Sequence, residues 1–131
     1  MRHRRLGTGE PGWHPLRKLR TILRGTRYAV LEDFAVAYKL VLALVVLVAC
    51  VLYRPWLDVS VVLLATGAML AAEMFNTAVE VLCDFVQPRD DPRIGAVKDI
   101  AAAATGVSIL VWVLVMAGEA VELVRTLTGS G

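Results

Sequence analysis

Long apolar stretches separated by short polar ones dominate the chain, and this pattern predicts an all-α integral membrane protein with three spanning helices. The first apolar stretch runs from Ala35 to Tyr53, interrupted only by Lys39 near one end, where a lysine is expected to snorkel towards the interface. Arg54-Pro55-Trp56-Leu57-Asp58 reads as a short turn, with Pro55 ending the helix and Trp56 suited to the membrane boundary. A second stretch begins at Val59, is apolar to Ala72 and continues as an amphipathic helix to about Val86. Pro88 and Pro92 bracket a polar loop, and the third span covers Ile100 to Leu123. Ahead of the first span, Leu16 to Leu31 has helical periodicity. At ~100° per residue, Leu16, Leu19, Ile22, Leu23 and Val30 share one arc, and Arg17, Arg20, Arg24 and Arg27 occupy the next. Such a helix is expected to lie on a membrane surface with its arginines towards lipid phosphates.

Residues 1–15 are basic and rich in Gly and Pro, without the apolar core of a signal peptide, and read as a disordered arm. Residues 16–131 then form the membrane domain.

Composition supports the membrane reading, with 57% hydrophobic residues and a mean hydropathy of +0.63. The net charge of +2 is less informative than its distribution. Eight Lys or Arg precede Asp33, and Arg89, Arg93 and Lys98 follow the second span. The opposite side holds only Arg54 and Arg125, so the positive-inside rule places the N-terminus and the 85–99 loop in the cytoplasm. The basic residues are thus used by the membrane, and no nucleic-acid partner is expected. Cys50 and Cys83 lie far apart in apolar segments, which argues against a disulfide framework or a zinc site. Gly67, Ala68, Ala71 and Ala72 on the second span, with Ala102 and Gly106 on the third, suggest close helix contacts. Three helices bury limited surface, so self-association is expected.

The chemistry concentrates in Glu73-Met-Phe-Asn76-Thr77-Ala-Val-Glu80-Val-Leu-Cys-Asp84. Spacings of three, four and four put Glu73, Asn76, Glu80 and Asp84 in one helical stripe spanning roughly 80°. Counting from Val59 at ~1.5 Å per residue, Glu73 falls in the cytoplasmic third of the bilayer and Glu80 at its edge. An ionisable group within the hydrocarbon is a functional candidate. Lys98-Asp99, just before the third span, returns to the same membrane side, where Glu32 and Asp33 also lie. Carboxylates hold Mg²⁺, and Lys or Arg holds phosphate oxygens, so this rim suits a metal–nucleotide site beside lipid headgroups. There is no Walker A loop: Gly7-Thr-Gly-Glu-Pro-Gly12 lacks the closing Lys-Ser/Thr.

The combination Glu73-x-x-Asn76-Thr77-Ala78-x-Glu80-x-x-x-Asp84, followed by Lys98-Asp99-Ile-Ala-Ala, resembles the signature of the prokaryotic diacylglycerol kinase and undecaprenol kinase family. The resemblance extends over roughly Leu16 to Leu123. It implies a homotrimeric lipid kinase of the bacterial inner (plasma) membrane that uses MgATP, with Glu73 as catalytic base. It further implies a metal site at Glu80 and an N-terminal carboxylate, and nucleotide contacts at Asn76, Glu80, Lys98 and Asp99. The N-terminal match is looser. Gly25 is followed by Glu32, Asp33 and Phe34 at an interval about one residue shorter than the family's, so the resemblance implies Glu32 or Asp33 as the second metal ligand, with Glu32 taken as the candidate. The resemblance places a nucleotide-binding arginine near Arg17 or Arg20, with Arg17 taken as the candidate.

The lipid acceptor implied is diacylglycerol, with undecaprenol as the alternative. A small transporter or channel subunit would instead favour charges at the midplane on broken helices. The acidic stripe here sits towards the cytoplasmic side, on a helix with no Pro or Gly after Gly67.

Overall fold

The computed structural model describes residues 15–32 and 34–129, with the side chains at 29, 30 and 32 excepted. Among the described residues four helices follow one another: α1 (Pro15–Glu32), α2 (Phe34–Tyr53), α3 (Trp56–Val86) and α4 (Pro92–Thr128). The last three are each long and apolar enough to cross a membrane. Apart from Pro15, the arm expected over residues 1–15 lies outside the described residues.

The helix limits follow local chemistry. Pro55 stands at the N-cap of α3 in an extended conformation, with φ −64° and ψ 156°. The following helix starts at once, so Trp56 and Asp58, expected in a turn, belong to its first turn. Pro92 also opens a helix, because its fixed φ suits the first helical position and it has no N–H to leave unpaired. Asp91 caps it, its Oδ1 accepting from the Arg93 backbone N–H at 2.8 Å. The Arg93 side chain, followed by that backbone bond, holds the Asp91 carboxyl below the ordinary carboxylate range. The polar loop is consequently shorter than the two prolines suggested. At the other end, Gly129 closes α4 in the left-handed region, at φ 67°. At ~1.5 Å per residue, the 31 residues of α3 and 37 of α4 exceed a hydrocarbon core of roughly 30 Å. Both helices therefore carry side chains past the bilayer.

The core lies where α2, α3 and α4 meet. Ala43, Cys50, Val59, Val62, Met69, Trp112 and Met116 form one buried cluster. The Trp112 indole N–H donates to Thr66 Oγ1 at 3.1 Å, which satisfies the one polar atom of that side chain. Cys50 and Cys83 are buried free thiols, as expected of small core residues. At the α2–α3 turn, Arg54 reaches Asp58 at 2.6 Å and Glu119 at 3.7 Å. It thereby ties the end of α2 to both other spans. Most large side chains on the spans remain exposed, as suits helices bathed in lipid or covered by another copy.

The close helix contact differs from the one expected. Gly67 and Gly106 have nothing within 4 Å of an added Cβ, and Ala102 is exposed. Thr105, between Ala102 and Gly106 in sequence, turns towards α3 instead, and its hydroxyl lies 3.2 Å from the Ala72 carbonyl and 3.1 Å from that of Ala101. A hydroxyl that finds a carbonyl across the helix pair outweighs the bare small-residue spacing. Thr105→Val keeps the shape and removes this bond. It is expected to lower stability by about 0.6 kcal/mol, the mean for interhelical hydrogen bonds in membranes, measured by denaturing-detergent titration.

Helix α1 packs on α2 and α3. Its Gly25 faces α3, where an added Cβ would meet Met74 Cε at 3.7 Å. Leu16, Leu19, Ile22 and Leu23 are exposed, leaving its apolar stripe uncovered by the rest of the chain.

Candidate active site

Helix α3 positions the site because its last four turns change character while remaining one unbroken helix. The stripe read from the spacing passes from the bundle interior to water. Glu73 is 7% exposed, Asn76 is half-buried, and Glu80 and Asp84 are exposed. Within the helix, the Thr77 hydroxyl donates to the Glu73 carbonyl at 3.1 Å.

Glu73 has a partner the sequence pattern did not suggest. The Lys39 ammonium of α2 pairs with Glu73 Oε1, and Lys39 is itself only 6% exposed. The expected snorkelling does not occur. Two opposite charges brought together inside the bundle compensate each other, whereas an unpaired one would carry a desolvation penalty of several kcal/mol per ion. A lysine in a span preceding an acidic stripe is the available sequence signal, but helix pairing decides whether it turns inward.

One turn further, the Asn76 amide nitrogen donates to Glu80 Oε1 at 2.9 Å. The Asn76 amide oxygen is buried and has no hydrogen-bond partner among the described residues. A held carboxylate next to an unsatisfied amide oxygen is a set of hard donors, the chemistry that Mg²⁺ accepts. No group of three or more His, Cys, Asp or Glu side chains gathers among the described residues. The Glu32 side chain and Asp33 lie outside the described residues.

The structure brings Lys98 to α3, at Asp84 rather than at Glu80. Its ammonium lies 2.5 Å from Asp84 Oδ1, joining α3 to the start of α4 across the loop. Residues 84, 87–92, 94, 95 and 98 line a cavity of about 480 Å³ there. Asp99 is exposed and forms no ion pair among the described residues. Arg17 lies exposed in the first turn of α1, its carbonyl accepting from Thr21 Oγ1 at 3.0 Å. A second cavity, about 560 Å³ and apolar, separates Gly25 and Tyr28 of α1 from Met74, Thr77, Val81 and Phe85 of α3.

Three apolar helices with a polar, charged stripe at one end define a multi-pass membrane protein with a site at the bundle's edge. The family model for prokaryotic diacylglycerol kinase matches residues 20–118, and the chain belongs to that family of lipid kinases. The search of curated proteins and that of solved structures each return no match.

Proposed function

We propose that the chain transfers the γ-phosphate of ATP to the hydroxyl of diacylglycerol, producing phosphatidic acid at the cytoplasmic face of a plasma membrane. The observation that carries this reading is the pairing of depths along one stripe. Glu73 is inside the bundle and Glu80 is in water, seven residues and roughly 10 Å apart along α3. A lipid hydroxyl lies just below the headgroup plane, while a nucleotide phosphate must stay in water. The stripe offers a carboxylate to each.

In this reading Glu73 is the catalytic base, taking the hydroxyl proton as the lipid oxygen attacks phosphorus. Glu80 and Glu32 or Asp33 would hold Mg²⁺, which would supply positive charge against the phosphate oxygens. Asn76 and Asp99 orient the nucleotide, and Lys98 and Arg17 hold phosphate oxygens by charge-assisted bonds. Lys98 would leave Asp84 to do so. The exposed small-residue face of α4, with Ala102 and Gly106, is available to another copy, which supports a homotrimer.

The test is radiolabelled ATP with purified protein in mixed micelles, offering diacylglycerol and undecaprenol in turn. Labelled phosphatidic acid is expected. Label on undecaprenol alone replaces the acceptor, and no label on either lipid rejects the reading. Orientation is tested separately. A reporter at the N-terminus should read cytoplasmic and one at Gly131 external, because the basic residues gather on the N-terminal side. A cytoplasmic C-terminus overturns that topology.

A further inference from the structure

Among the described residues, Lys39 is the one group that hydrogen-bonds the Glu73 carboxylate. Thr77 bonds the Glu73 backbone carbonyl and leaves its side chain untouched. The pair bridges α2 and α3 with both side chains almost wholly removed from solvent. A carboxylate so placed has two needs before it can accept a proton. It must point at the hydroxyl, and its charge must be balanced inside the bundle. A single ammonium in contact with it meets both.

We propose that Lys39 is a positioning residue for phosphoryl transfer, fixing the Glu73 carboxylate and keeping it charged. The inference rests on the reading of Glu73 as the base. In the step, the lipid oxygen bonds to the γ-phosphorus and the bond from that phosphorus to the bridging oxygen breaks. ADP leaves, and the hydroxyl proton passes to Glu73. Protonated Glu73 no longer neutralises the ammonium, so loss of that proton to water restores the ion pair. Lys39 thus favours return of the base to its working state.

The experiment compares wild type, Lys39→Met, Lys39→Gln, Glu73→Gln and the Lys39→Met/Glu73→Gln double variant in mixed micelles. Lys39→Met is expected to lower kcat by about 100-fold, the effect of a catalytic group displaced by around an ångström, with KM for ATP nearly unchanged. Lys39→Gln should recover part of kcat, since an amide still donates to the carboxylate. In the Glu73→Gln background, Lys39→Met should lower kcat no further. Infrared spectra should show a protonated-carboxyl stretch in Lys39→Met that is absent from wild type and lost again in the double variant. A near-normal kcat in Lys39→Met, an equal loss in both backgrounds, or no such infrared band overturns the proposal. If Lys39→Met does not fold, Lys39→Gln takes its place in the same comparisons. A wild type that labels no lipid rejects the functional reading, and the infrared band then decides whether Lys39 keeps Glu73 charged. A fully active Glu73→Gln rejects the base assignment and this inference together.

Discussion

Replacing Glu73 by Gln is expected to lower lipid phosphorylation by about two orders of magnitude or more, the range for a lost general base. MgATP binding should hardly change. The reason is position. Glu73 is 7% exposed and two turns deeper than Glu80, and the proposed function assigns it to the lipid hydroxyl rather than to a nucleotide in water. A loose transition state demands little proton removal early on, so part of the loss will come from misplacing the hydroxyl. The substitution also leaves the Lys39 ammonium buried without its counter-charge. Its stability must therefore be measured alongside its activity, on the same folded preparation. If nucleotide affinity and turnover fall together, Glu73 belongs to the nucleotide site or to the fold. If neither falls, it is not the base.

Glu80→Gln should abolish most activity by a different route. Its exposed carboxylate accepts from Asn76, and the proposed function assigns it to Mg²⁺. Glutamine preserves the shape and a carbonyl acceptor for Asn76 while removing the charge. Loss of a supporting outer-shell group costs roughly 10- to 100-fold in metal affinity or activity, and loss of a ligand itself should exceed that. The fold and the proposed oligomer should survive, because an exposed side chain contributes little to packing. Raising Mg²⁺ should restore part of the activity. Near-normal turnover at ordinary Mg²⁺ would remove Glu80 from the metal site.

Both predictions concern residues legible in the sequence, because a helix converts spacing directly into direction. Intervals of three, four and four place Glu73, Asn76, Glu80 and Asp84 on one side whatever surrounds them. The Asn76–Glu80 bond is an i,i+4 contact of the same kind. Apolar length identified the three spans just as directly, since a helix of about 20 apolar residues matches the bilayer. The limits of α4 were less legible. Pro92 marked a loop by composition, but with Asp91 as cap it starts the helix.

Lys39 and Thr105 show where local pattern stops being informative. Neither orientation follows from its own helix alone. A lysine near a span end either snorkels or turns inward, and a threonine between two small residues either faces lipid or a neighbour. The answers came from α3, which presents Glu73 to one and the Ala72 carbonyl to the other. The same holds for Glu119, an acidic residue in the third apolar stretch, whose partner Arg54 lies on the far side of two spans in sequence. The sequence by itself determined the membrane class, the helices and the polar stripe, all consequences of length and periodicity within one helix. Tertiary structure alone decided which charges are paired and which face water, because a buried charge is settled by what a different helix brings within a few ångströms.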